Sequence, residues 1–155
     1  MIAFRTIKYI AAALALVGVV GTAPAAAPTG KAAIAARQAG FKKMGEAVKA
    51  IKAELAKSPP SQRVLLDNAK VVSATLRMQG DLFPAGSGPS AGTPTDALAG
   101  IWSDRATFDA LLADSKAEAA KLEAAIASGS VSASQAQFKA TGQSCAACHR
   151  KFRAD

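Results

Sequence analysis

The chain has 155 residues, 50% of them hydrophobic but only 5% aromatic, and its 19 basic against 11 acidic side chains give a net charge of +8. That length suits one domain with one sizeable core. An alanine-rich, aromatic-poor composition with few β-branched runs favours helices over sheet. The sequence carries no nucleic-acid motif, no phosphate-binding loop, no Ser-His-Asp pattern and no paired carboxylates, so nucleic acid is not an expected partner and hydrolytic or phosphoryl-transfer chemistry is not an expected activity.

Residues 1–25 read as a secretory signal peptide: basic Arg5 and Lys8, an apolar run from Ile10 to Val20, then Ala23-Pro24-Ala25 as an A-x-A cleavage pattern. The apolar run is too short to span a bilayer comfortably, and no cysteine stands at the cleavage site to take a lipid. The expected mature unit is residues 26–155, exported to the periplasm. It carries 17 basic and 11 acidic side chains, +6. A moderately basic surface could steer an acidic redox partner or a membrane surface, but mixed Lys and Glu on solvated helix faces are the better explanation.

The first helix is predicted over 31–57, with Ile34, Arg37, Phe41, Met44, Val48, Ile51 and Leu55 on one stripe at three- and four-residue spacing. Arg37 is the charged member, either snorkelling at the stripe's edge or paired with a buried anion. Ser58-Pro59-Pro60-Ser61 stops this helix, and Ser61 is placed to cap the next. A second helix to about residue 80 shows a weaker stripe of Val64, Asn68, Val71, Val72, Thr75 and Gln79. Prolines 84, 89 and 94 and glycines 86, 88, 92 and 100 make 81–100 a long crossover loop without regular structure. Such a loop asks for a reason, and Leu82, Phe83 and Trp102 at its ends suggest that it packs over the core.

Ser103, followed by Asp104, is expected to cap a third helix with Phe108, Leu111, Leu112, Ala119, Leu122 and Ile126 inward, broken at Ser128-Gly129-Ser130. Ser132 and Gln135 match a capping box for a fourth helix. Its stripe is Phe138, Thr141, Cys145, Cys148, His149 and Phe152.

That last stripe holds both cysteines and the single histidine of the chain, as Cys145-Ala146-Ala147-Cys148-His149. C-x-x-C-H is the attachment signature of a c-type haem. Thiols three residues apart on a helix lie on one side and can each form a thioether to one porphyrin, and the next residue brings an imidazole to the iron. A zinc site would need more ligands than these three. A redox dithiol would open a helix after a strand, and a disulfide over two intervening residues would constrain almost no chain. Arg153, one turn beyond His149, either lies over the imidazole and disfavours its protonation or is a solvated terminal cation.

Four amphipathic helices, a long loop between the second and third, Ile-Trp-Ser-Asp opening the third, and a C-terminal Cys-Ala-Ala-Cys-His-Arg-Lys-Phe-Arg together resemble the class II cytochromes c, the cytochrome c′ family. The resemblance implies an all-α, antiparallel four-helix bundle with one covalent haem c near the C-terminal helix, held by Cys145 and Cys148 with His149 as axial ligand. It further implies that Arg37 and Gln38 approach the propionates and that Phe41 covers the distal face. A non-ligating residue there leaves a five-coordinate iron open to nitric oxide or carbon monoxide. Met44, one turn on, is the alternative sixth ligand, which would make a low-spin electron carrier. The family implies a haem-binding, electron-transferring protein and not an enzyme, with small gases and an unidentified redox protein as partners, and a homodimer paired through the first two helices. Acid-acetone extraction is expected to leave the colour with the protein; colour passing into the solvent would refute covalent attachment.

Overall fold

The computed structural model describes residues 29–154, so the signal peptide expected over 1–25 lies outside the described residues. Five helices follow one another: α1 (Gly30–Leu55), α2 (Gln62–Gln79), a one-turn α3 (Gly100–Ser103), α4 (Arg105–Ala127) and α5 (Val131–Phe152). Among the described residues there is no strand, only an isolated antiparallel bridge between Ala97 and Arg153. None of these helices is long and apolar enough to cross a membrane.

Four long helices pack as an antiparallel bundle, and the cross-helix hydrogen bonds give the register. Gln62 at the start of α2 donates to the carbonyls of Ile126 and Ala127 at the end of α4. Ser73 donates to the Ala119 carbonyl midway. On α5, Ser134 reaches the Ala125 carbonyl, Thr141 the Glu118 carbonyl, and Lys151 the carboxylate of Asp104. α1 packs along α2, α2 along α4, and α4 along α5, whereas α1 and α5 scarcely touch.

The core is made by Ile34, Ala47 and Ile51 of α1, Leu65, Ala69, Val72 and Leu76 of α2, and Phe108, Ala119, Leu122 and Ile126 of α4, with Phe152 of α5. Burying the larger of these side chains, the leucines, isoleucines, valine and phenylalanines, stabilises the fold by about 1.5–3 kcal/mol each. The stripe expected on α2 is rotated. Val64 is 38% exposed and Asn68 bonds back to the Val64 carbonyl at 2.8 Å, while Leu65, Ala69 and Leu76 face inward. Both stripes share Val72, Thr75 and Gln79, and the more apolar set prevails because burial follows apolar area.

Two helix starts also differ from expectation. Asp104, not Ser103, caps α4 by accepting from the Thr107 amide, and Ser103 closes the short α3. Ser130, not Ser132, caps α5 through the Ala133 amide, so Gln135 is released from a capping box and donates to the Leu55 carbonyl. The helix therefore begins two residues sooner, its cap directly after Gly129, whose φ of 77° suits a residue without a Cβ. The crossover loop is also more ordered than its prolines and glycines suggested, with 3₁₀ turns at Gly80–Leu82 and Pro89–Ala91.

Ser61 caps α2 as expected, and Glu54 completes that turn: its carboxylate accepts from the Ser61 amide at 2.7 Å and from Lys57 at 2.6 Å. The Lys57 bond foremost, then the Ser61 amide, holds the Glu54 carboxyl below the usual glutamate range. A carboxylate with a depressed folded pKa contributes stability that is present above its unfolded pKa and lost as pH falls through the folded one. Glu54→Gln is therefore expected to destabilise at neutral pH and to make stability fall less steeply below the ordinary glutamate range, as checked by denaturant midpoints from pH 7 to pH 3.

Candidate haem site

Where α1 and α5 diverge, a cavity of about 660 Å³ opens between them, with Met44, Val48, Phe83, Phe108, Phe138 and Phe152 among its lining. Its origin lies in side-chain size. The α5 wall carries Gly142, Cys145, Ala146, Cys148 and His149, and Gly45 stands in the α1 wall. A Cβ added at either glycine would meet nothing within 4 Å. A contiguous apolar space of this size is characteristic of a ligand or cofactor site, since bundle interiors otherwise pack to few voids larger than a water.

Every site residue expected from the sequence lines this one cavity: Arg37, Gln38, Phe41 and Met44 from α1, and Cys145, Cys148 and His149 from α5. Met44 is buried and Phe41 partly so. The cysteines are half-buried, and His149 is the most open of the three motif residues. Burial pushes both thiols above the usual cysteine range, and Cys145 adds to the effect on Cys148. Burial first, and then the positive charge of Arg153, pushes the His149 imidazole down, favouring the neutral form that can coordinate a metal. Arg153 thus combines the two roles weighed for it: it acts on His149, yet is itself exposed and lies 3.6 Å from Asp96.

An aromatic chain closes one end of the space. Phe41 lies 6.4 Å from Phe83, Phe83 makes an edge contact with Phe108 at 4.8 Å, and Phe108 another with Phe152 at 5.5 Å. Trp102 joins at 6.2 Å from Phe83 and donates its indole N–H to the Pro84 carbonyl at 2.9 Å.

Arg37 is the unusual member. Its side chain is 2% exposed, and its guanidinium donates to the Leu82 carbonyl at 3.4 Å, Ser87 Oγ at 3.0 Å and Thr95 Oγ1 at 2.7 Å, while stacking 4.8 Å over Phe83. None of these partners is a carboxylate, so neutral acceptors and an aromatic face take the place of water around the charge. Burial accordingly lowers the Arg37 pKa from its ordinary value. Gln38 beside it donates to the Pro94 carbonyl at 3.1 Å. Asn68, a polar member of the stripe expected on the second helix, does not line the cavity and bonds its own helix. Leu82, Ser87 and Thr95 were not legible as site residues. The signal was indirect: a buried arginine needs acceptors, and an unexplained long loop is where they stand.

Two thiols and an imidazole along one wall of an apolar slot, with a buried cation lining it as well, suit a flat apolar ring that bears vinyl groups, a metal and acidic edges. The fold and site together define a c-type haem protein of the helical-bundle kind. A family model described as Cytochrome C′ matches residues 32–153, and the chain belongs to that family, whose cofactor is covalently bound haem c. It is 34% identical over 89 residues to cytochrome c′ of Rhodospirillum rubrum, a match spanning 57% of this chain and 59% of that protein. The crystal structure of cytochrome c′ from Thermochromatium tepidum superposes with a TM-score of 0.77 at 30% identity, covering 84% of this chain and all of the other. A nitric oxide complex of a cytochrome c′ variant from Alcaligenes xylosoxidans superposes with a TM-score of 0.72 at 25% identity, covering 81% of this chain and 96% of that one.

Arg37→Leu is expected to lower stability by about 1–3 kcal/mol, because it removes the charge-assisted bonds to Leu82, Ser87 and Thr95. Urea unfolding of the two proteins at neutral pH measures the difference.

Proposed function

We propose that this chain is an exported, periplasmic cytochrome that binds small gases and passes single electrons, with Cys145 and Cys148 joined to one haem c by thioethers and His149 as the axial ligand. Haem supplies an iron that cycles between two oxidation states and takes up diatomic ligands at an open coordination position. The residues of the chain decide how that chemistry is presented. Cys145, Cys148 and His149 lie at i, i+3 and i+4 on α5, so one helix face can fix ring and metal together.

The observation that carries the gas-binding reading is the composition of the α1 wall. Phe41 offers bulk and no lone pair, and its contact with Phe83 restrains the ring from moving aside. Phe41 itself offers no acid or base of the kind peroxidase or nitric-oxide-converting chemistry would require. The nitric oxide complex among the structural neighbours supports the same direction. Arg37 and Gln38 are placed in this reading as partners of the propionates, since a buried guanidinium surrounded only by neutral acceptors gains most from an anion. Pairing of two copies through the outer faces of α1 and α2 belongs to the same proposal, and Met78 of α2, 67% exposed, is the large apolar side chain that such a contact would cover.

Met44 favours a second reading. It is buried, 8% exposed, and lines the same cavity one turn from Phe41, and a thioether is a group able to ligate haem iron. The protein would then be a dedicated electron carrier. An optical spectrum of the reduced protein separates the two. Broad high-spin bands that change under carbon monoxide, with faster binding in Phe41→Ala, are expected. Sharp low-spin bands that persist under carbon monoxide and vanish in Met44→Ala would establish the carrier instead.

A further inference from the structure

α1 and α5 are the two walls of the cavity, yet they make little direct contact along it. Residues 94–98 of the crossover loop join them. On the α1 side, Thr95 Oγ1 accepts from Arg37 at 2.7 Å and the Pro94 carbonyl accepts from Gln38 at 3.1 Å. On the α5 side, the Leu98 amide donates to the Phe152 carbonyl at 3.0 Å and the Ala154 amide to the Asp96 carbonyl at 2.8 Å, forming the Ala97–Arg153 bridge. Thr95 is the knot of this segment, because the same Oγ1 also accepts from the Ala97 amide at 3.2 Å. Thr95, Asp96 and Ala97 themselves line the cavity.

We propose that residues 94–98 are a strap that fixes the separation of α1 and α5 across the cavity, with Thr95 as a positioning residue that sets His149 against Phe41 without touching either. The strap grips α5 at Phe152–Ala154, directly beyond His149, and α1 at Arg37 and Gln38, one turn before Phe41. A change in its tension therefore reaches both walls, through the turn that carries the imidazole and the turn that carries the distal ring. This rests on the haem-binding reading above for its effect on the iron, but not for the strap itself.

The test uses the haem-loaded protein and three variants. Thr95→Val removes the hydroxyl while keeping shape, Thr95→Ser keeps the hydroxyl, and Leu98→Pro removes the amide that donates to Phe152 while leaving Arg37 and Thr95 intact. Hydrogen exchange at the Leu98 and Ala154 amides is expected to quicken about fivefold in Thr95→Val, the scale of one lost neutral hydrogen bond. The carbon monoxide association rate and the iron–imidazole stretching band should move in Thr95→Val and Leu98→Pro in the same direction, and Thr95→Ser should restore both. Leu98→Pro decides the matter should Thr95→Val fail to fold. Unchanged exchange, an unmoved band and rate, or equal effects of Thr95→Ser and Thr95→Val would each overturn the proposal. A parent chain without covalent haem would refute the haem reading, and the exchange rates would still decide the strap.

Discussion

The guanidinium of Arg37 has to be buried and has to be solvated, and much of this molecule is arranged to satisfy both demands. A charge at 2% exposure is unfavourable unless acceptors replace water. The chain brings them from 45 to 58 residues away: a carbonyl at Leu82 and hydroxyls at Ser87 and Thr95, with the Phe83 face beneath. A loop of that length, rich in proline and glycine, would otherwise have little reason to lie in one place. Held by a cation, it covers one end of the bundle and contributes a wall to the cavity.

The second constraint is one of size. Four-helix bundles ordinarily close on themselves, since interiors pack as densely as organic crystals. Here glycine and alanine along α5, facing glycine on α1, leave a slot that α1 and α5 cannot close without losing their packing on α2 and α4. Both thiols and the imidazole stand on the α5 wall, whereas Phe41 and Met44 stand on the α1 wall with Arg37, Gln38 and Lys42.

The bundle was legible because its helices repeat apolar residues at helical spacing over five or more turns, with proline or glycine at their ends. α1 and α4 read correctly because one stripe dominates each. α2 did not, since two stripes one residue apart are both partly apolar, and only the presence of α1 and α4 on either side selects the one with Leu65, Ala69 and Leu76. The caps missed by one or two residues for a related reason: Ser103-Asp104 and Ser130-Val131-Ser132 each offer two cap-competent side chains, and tertiary context chooses between them. The motif Cys145–Cys148–His149 was legible because its chemistry is local. The partners of Arg37 were not, because hydrogen bonds spanning 50 residues leave no periodicity in a sequence.

The antiparallel pairs have a consequence for how the chain finds its structure. α1 with α2, and α4 with α5, are hairpins closed by connections of only a few residues, each with a serine cap at the second helix. Contacts so near in sequence cost little loop entropy, so these hairpins are the units that form early. Docking α2 on α4 must await the crossover, and the slot between the outermost helices takes shape last, after its own walls are already helical. The thiols of α5 accordingly stay accessible through most of folding, in a partly assembled chain whose two halves have yet to meet.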